Sequence, residues 1–366
     1  MFNRERLTFA RKRRGLNMSA LARVVGLESR TISSYENGEY VPPADRIEML
    51  ASALTFPTTF FFQEGLPTIS PDAASFRSLT KMSAAKRDVA LSSGGLALLL
   101  NDAIEERFKL PAPDFADLSR EGDAESAASS LRRYWGIGEL PVKNMIHLLE
   151  SKGARVFSLA IDAQEVDAFS FWRDEQPFVF LNTRKSSERS RFDCAHELAH
   201  LVMHRHGEQK VDGSQMIERE ANNFAGAFLM PRASVLTYAP KNLTTLEHLI
   251  QLKQVWGVSV AALNFRLHQL GILSEWHYRE LNIQISKRGY RTSEPQSVPR
   301  ETSQVLGKVL TGLRSEGVGI RKIAEDLHVS PKDIEDLIFC LTISSVGENQ
   351  NKKSYSRHRA DLKIVK

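Results

Sequence analysis

The residues most able to do chemistry are His196, Glu197 and His200, spaced as His-Glu-x-x-His within Cys194-Ala-His-Glu-Leu-Ala-His-Leu-Val-Met-His204. On a helix, positions four apart share a face and lie about 6 Å apart along the axis, so both imidazoles reach one ion. Glu197 projects to the side of that pair, where a carboxylate touches a water on the ion. Zinc in such sites takes three protein ligands and keeps its fourth position for water. It moves that water's pKa from about 16 toward about 7, so hydroxide forms at neutral pH. Glu197 then takes the proton and later passes it to a leaving amine. The apolar Leu198, Ala199, Leu201 and Val202 fill the other faces of the helix.

A third ligand is needed. His204 continues the spacing, but histidines at i, i+4 and i+8 span about 12 Å of straight helix. Leu201-Val202-Met203 holds no helix breaker, so His204 is expected beside the site and not on the ion. The segment Ile217-Glu218-Arg219-Glu220-Ala221-Asn222 offers carboxylates on a second helix. Glu218 and Asn222 share one face, and Glu220 points about 200° away. Glu218 is the expected third ligand, with Asn222 orienting a ligand histidine from behind. Tyr238, His204 and His206 are the candidates for stabilising an oxyanion. Cys194 lies on roughly the opposite side of the helix from His196 and reads as a small buried residue.

These side chains need helices and a little sheet to hold them. Ser190–His204 and Met216–Leu229 have the length and apolar spacing of helices. Arg155–Ala160, Ala168–Trp172 and Phe178–Asn182 read as strands. Helical patterns also cover Lys86–Phe108, Ala124–Lys152, Leu246–Leu270 and 301–343, so the chain is expected to be mainly α with a small β-sheet. The divisions expected are 1–64, a helical connector over 65–123, a central unit over 124–285, a C-terminal helical unit over 286–346, and a basic, disordered tail over 347–366. Within the C-terminal unit, Gly319–Ile334 has a helix-turn-helix rhythm. Lys332, Asp333, Glu335 and Asp336 leave its second helix net acidic, which suits a structural or dimerising role better than DNA contact.

The pattern Phe178-Val-Phe-Leu-Asn182, Arg191-Phe192, the His-Glu-x-x-His helix, then Glu218-x-x-Ala-Asn-x-Phe-Ala ending Leu229-Met230-Pro231 resembles the ImmA/IrrE family of zinc metallopeptidases. The resemblance covers roughly residues 124 to 285. It implies a central α+β, gluzincin-like metallopeptidase domain. His196, His200 and Glu218 match the metal ligands, and Glu197 matches the general base. Characterised members cleave a helix-turn-helix repressor and so release stress or mobile-element genes. By the same resemblance, the strand at 178–182 is expected to be the edge that pairs with an extended substrate.

Residues 1–30 hold eight Lys/Arg against Glu5 and Glu28, a local excess within a chain whose net charge is only +5. Such clustering is how a nucleic-acid footprint usually looks, with a solvated basic face as the alternative that composition leaves open. Residues 3–62 resemble the Xre/Cro/CI type of helix-turn-helix. Leu21-Ala22-x-x-Val25-Gly26-Leu27 and Thr31-Ile32-Ser33-x-Tyr35-Glu36-x-Gly38 carry the resemblance, and Gly26 permits the tight turn. Ser29, Arg30, Thr31, Ser33 and Ser34 are expected on the groove-facing side of the recognition helix. Arg11, Arg13 and Arg14 are expected to face phosphates.

The chain has 366 residues and only two cysteines, Cys194 and Cys340. That excludes a disulfide framework and fits a reducing, cytoplasmic setting. The N-terminus is charged, so no secretory signal is expected, and Val89–Leu100 is too short to span a bilayer. The function expected is a zinc-dependent endopeptidase with a DNA-binding domain, acting on a regulatory, repressor-like protein. The competing expectation is a transcriptional repressor or antitoxin-like regulator whose peptidase fold senses and cuts little. The partners expected are double-stranded DNA and the protein substrate, with no membrane. In a homodimer, a second copy would place two half-sites about one helical turn apart.

Overall fold

In a computed structural model of the chain, which describes residues 1–67, 69, 83–159, 168–205, 214–240, 243 and 245–342, the first helices begin where asparagine side chains satisfy free N–H groups. Asn3 accepts from the N–H of Glu5 to open α1 (Arg4–Arg13), and Asn17 accepts from Ala20 to open α2 (Met18–Val24). Gly26 takes φ +64°, a left-handed conformation that turns the chain into α3 (Ser29–Asn37). Pro43 stands immediately before α4 (Ala44–Leu54). A 3₁₀ turn, Thr58–Phe62, buries Phe60 and Phe61 beneath α1. This is an all-α helix-turn-helix unit.

Ser83 caps α5 (Ala84–Glu105), which lies along α1. Gly95 permits that approach, because a β-carbon there would stand 3.0 Å from the ring of Phe9 and from the carbonyl oxygen of Pro67. The helical stretch expected over 124–152 is instead two helices, α6 (Ala124–Tyr134) and α7 (Met145–Ser151). Gly136 and Gly138, both at positive φ, end the first, and Asn144 caps the second.

The sheet comprises β1 (Arg155–Ser158), β2 (Ala168–Arg173) and β3 (Gln176–Leu181), in the order β1-β3-β2. β1 runs parallel to β3, and β2 runs antiparallel to it through a tight hairpin. Phe169 opposes Phe180 and Phe171 opposes Phe178, stacked at 4.5 and 5.3 Å between ring centroids. This order corrects an expectation. β3, the strand at 178–182, is central and bonded on both sides, so it has no edge to offer a substrate. The hairpin places β2 outside it, and a strand's nearness in sequence to the His-Glu-x-x-His helix does not reveal such an inversion.

Two long helices follow, α8 (Ser187–Met203) and α9 (Ser214–Leu229), packed on each other, with α8 also lying on β2 and β3. Ser170 and Trp172 bond to α8 from one face of β2, while Phe169 on the other face reaches α5. The sheet is thus held between two helices. α10 (Arg232–Tyr238), α11 (Leu246–Leu252), α12 (Val260–Gln269) and α13 (Glu275–Lys287) complete the central domain. The helix expected over 246–270 is broken by a 3₁₀ turn at Lys253–Val255 and by Gly257 at φ +65°.

The C-terminal unit is helical: α14 (Gln304–Ser315), α15 (Ile320–Asp326) and α16 (Pro331–Ile338). α16 turns its acidic residues toward α1, and the fully buried Asp333 accepts from Arg13 and Arg14. The tail expected over 347–366 lies outside the described residues. Among the described residues, no helix is long and apolar enough to cross a membrane.

Candidate metal centre and its cleft

Helix α8 is capped by Ser186, whose hydroxyl accepts from the N–H of Arg189. Its cleft-facing stripe carries His196 and His200, and α9 brings Glu218 across from them. The Nε2 atoms of the two histidines are 3.1 Å apart. Glu218 stands 3.7 Å from His196 Nε2 and 3.6 Å from His200 Nε2 through its two oxygens. One ligand atom from each of the three residues falls within 4.8 Å of the others. Ligand atoms on a tetrahedral ion with bonds of 2.0–2.1 Å stand about 3.3 Å apart. The observed spacing therefore fits one small ion with little adjustment.

The electrostatics agree with the geometry. Burial lowers the pKa of His196 to about 4 and that of His200 well below its ordinary value. Both rings are neutral at pH 7, as metal ligands must be. Asn222 Oδ1 lies 3.2 Å from His196 Nδ1, so Nδ1–H donates to the amide and Nε2 keeps its lone pair for the ion.

His200 is oriented by residues that the spacing argument set aside. Its Nδ1 is 3.0 Å from Nδ1 of His204, and His204 Nε2 is 3.3 Å from Glu220. With Nε2 of His200 turned to the ion, its Nδ1–H donates to His204, and His204 Nε2–H donates to Glu220. α8 ends at Met203, and His204 is its C-cap, which turns the ring back toward His200. Glu220 does point away from Glu218's face, and that is the direction in which His204 waits.

Glu197 is 3% exposed, and Ser170 Oγ donates to its Oε2 at 2.6 Å. Sequence spacing gave no signal for Ser170, because it belongs to a strand that precedes the helix by a hairpin. The cleft over this group has a volume of about 1180 Å³. His196, Glu197, His200, Glu218 and Asn222 all line it. Phe192, Ala261, Ala262 and the half-exposed Phe265 add an apolar wall. Cys194 is fully buried, and burial pushes its thiol well up. Tyr238 packs on Trp256 and is absent from the residues lining the cleft. His204 is engaged with Glu220, and His206 lies outside the described residues.

In the N-terminal unit, Ala22, Val25, Ile32 and Tyr35 are buried between the helices. Ser29 and Arg30 are exposed, and Thr31, Ser33 and Ser34 are partly so. The expectation that Arg11, Arg13 and Arg14 face phosphates is corrected. Arg11 is buried in a two-pronged pair with Glu36, at 2.6 and 2.7 Å. Arg13 is buried against Asp333 at 3.1 Å, and Arg14 grips both oxygens of the same carboxylate at 2.8 Å. The buried guanidinium groups of Arg11 and Arg13 need their counter-ions inside the protein and are withdrawn from a DNA backbone, and Arg14, though partly exposed, is taken up by Asp333.

Two segments match family models: residues 149–268 match the IrrE N-terminal-like domain of the M78 peptidases, and residues 9–61 match a helix-turn-helix. The first contains the whole ligand set and the sheet. Together they support an ImmA/IrrE-type protein with an N-terminal helix-turn-helix domain. Among curated proteins, no relative matches the chain.

Proposed function

We propose that this chain is a zinc-dependent endopeptidase that cuts a regulatory, repressor-like protein in the cytoplasm, and that its N-terminal domain binds double-stranded DNA. One observation carries the reading: the two imidazoles and Glu218 stand at the spacing of a single tetrahedral ion, with Glu197 beside them on the floor of an open cleft. His196, His200 and Glu218 would hold the zinc. When bound, it supplies a Lewis acid that polarises the scissile carbonyl and lowers the pKa of a water toward about 7.

The chain's own residues do the rest. Glu197 takes the proton of the attacking water and delivers it to the departing amine. Ser170 holds that carboxylate toward the cleft. The pairs His196–Asn222 and His200–His204–Glu220 fix the two rings. Among the described residues β1 and β2 are the edge strands, and β2 is the one packed on α8, so it is the edge on which an extended peptide would pair. The N-terminal domain would present Ser29, Arg30, Thr31, Ser33 and Ser34 to the major groove.

The test is to compare proteins cut in cells by the wild type with those cut by a Glu197→Gln variant. A repressor-like protein cleaved only by the wild type is the expected result. A second reading is a repressor or antitoxin-like regulator whose peptidase fold senses and cuts little. The buried joint of Arg13 and Arg14 with Asp333 favours it, because it ties the DNA-binding unit to the C-terminal helices. Cleavage that depends on Glu197 removes that second reading.

A further inference from the structure

The cleft is unevenly charged, and the imbalance does not come from the metal centre. Arg184 and Lys185 precede α8, Arg189 lies in its first turn, Arg219 is on α9, and Arg291 follows α13. All five line the cleft. Arg184, Arg219 and Arg291 are exposed and form no ion pair among the described residues. Arg291 bonds only to the neutral Ser286 and Asn282, and Arg184 lies over the ring of Phe339.

The acids lining the same cleft are spoken for. Glu188 and Glu294 share the fully buried Lys253, at 3.1 and 3.4 Å, and accept further hydrogen bonds, Glu188 from Ser297 and the N–H of Val298 and Glu294 from the N–H of Val260. Glu197 and Glu218 belong to the metal centre. Asp193 faces Arg189 at 3.6 Å. Unbalanced positive charge therefore remains on three separate elements around one cavity. Charge of one sign left without ion pairs around a cavity draws in ligands of the other.

Resting on the peptidase reading, we propose that the cleft selects a peptide segment carrying Asp or Glu a few residues from the scissile bond, with an apolar side chain against Phe265 and Phe192. The helix sets the distance. Arg184 lies just before α8, whose first residue Ser187 is nine residues before His196, so that end of the helix stands about 13 Å along the axis from the metal centre. An extended peptide covers that in about four residues. The preference is for carboxylates and not for phosphodiesters, because the apolar wall beside the arginines suits a side chain and offers nothing to a sugar.

Two measurements separate this inference from the reading beneath it. The first uses zinc-loaded Glu197→Gln protein and fluorescence anisotropy. The probe is a labelled twelve-residue peptide with Leu-Phe at its centre and four flanking Glu, compared with its Gln counterpart. The acidic peptide should bind more tightly by about threefold to fivefold per effective carboxylate, and less so at high salt. Arg184→Gln/Arg291→Gln, which leaves the metal centre untouched, should lose most of that difference while retaining zinc. Equal binding of the two peptides, or no binding of either, overturns the proposal. So does a short DNA duplex that binds more tightly than the acidic peptide and loses its binding in the same double variant.

The second digests a proteome-derived peptide library with the wild type and reads the cut sites by mass spectrometry. Asp and Glu should be enriched at two to four residues from the cut, and the double variant should cut without that enrichment. Cuts with no acidic preference sink this inference and leave the peptidase standing. Binding of the acidic peptide with no cuts beyond those of Glu197→Gln removes the peptidase reading, and with it the substrate selection that rests on it.

Discussion

Ser170 on the edge strand β2 donates its hydroxyl proton to Glu197 on α8, at 2.6 Å, and both side chains are buried. The bond joins the hairpin to the carboxylate proposed as the general base. It holds one carboxylate oxygen, Oε2, against the hairpin. Glu197→Gln should keep zinc and fold while slowing cleavage by about 10²–10⁴, since an amide cannot take the water's proton. Ser170→Ala should keep zinc and KM but lower kcat by about tenfold, the scale of one hydrogen bond to a charged group. Ser170→Thr, which retains the hydroxyl, should recover most of it. A Ser170→Ala enzyme with unchanged kcat would show that the bond only packs the hairpin.

Elemental analysis should find about one zinc per chain. His196→Ala, His200→Ala and Glu218→Ala should each lose it, because two remaining ligands hold an ion poorly. Glu220→Ala and Asn222→Ala should retain zinc with affinity weakened by about 10–100-fold, as groups that orient a ligand do. Zinc kept by Glu218→Ala and lost by Glu220→Ala would exchange the roles assigned to the two carboxylates.

The centre was legible because helix geometry is local: spacing alone put His196, Glu197 and His200 within reach, and a face count separated Glu218 from Glu220. What spacing could not carry was long-range. Ser170 meets Glu197 only through the sheet order β1-β3-β2, which no periodicity encodes. His204 stands beside the candidate ligand His200, but its bond to Glu220 joins two helices whose crossing the sequence does not state. Arg13 and Arg14 read as a basic surface because their partner, Asp333, lies more than three hundred residues away in sequence. A charge run in sequence shows its own sign and not the sign it is folded against.

DNA binding should accordingly rest on fewer cations than the composition implies. Arg30 is exposed on α3 and Arg23 on α2. Replacing Arg30 with Ala should cost about 1–3 kcal/mol on a preferred site if it reads a base. If it meets a phosphate, it should weaken all sequences alike and reduce the salt slope by about one. Arg11→Ala should act through folding, since Glu36 would be left without its partner. Gel shifts at two salt concentrations, set beside a melting curve, separate these outcomes. A fully folded Arg11→Ala protein that has lost DNA would return that residue to the interface.

The Asp333 joint should be a large contributor to stability. Asp333→Ala leaves Arg13 buried without its main counter-ion, and breaking such a pair from one side costs about 3–5 kcal/mol. The double change Arg13→Met/Asp333→Leu should recover much of that, because it removes both charges and keeps the volume. Chemical denaturation of the three proteins checks this. Equal stabilities would mean that the C-terminal helices dock without help from the ion pair.

Asp193 supplies a pH dependence of defined sign. It lies one turn before Glu197, and its Oδ2 is buried with no hydrogen-bond partner among the described residues. Burial raises its carboxyl pKa to about 6, against the opposing pull of Arg189 and Lys185. An unfolded chain returns it to about 3.9. The folded value is the higher one, so the folded state binds the proton more tightly. The contribution to stability is fully present below about pH 4 and is lost as pH rises through about 6. Asp193→Asn has no such loss. The stability difference between variant and wild type should therefore move in favour of the variant, by about 2–3 kcal/mol from pH 4 to pH 7.5. Urea denaturation of both proteins along that range measures it, and acid effects common to the two cancel in the difference. A difference that stays flat, or moves toward the wild type as pH rises, would mean that Arg189 and Lys185 hold the buried carboxylate charged throughout.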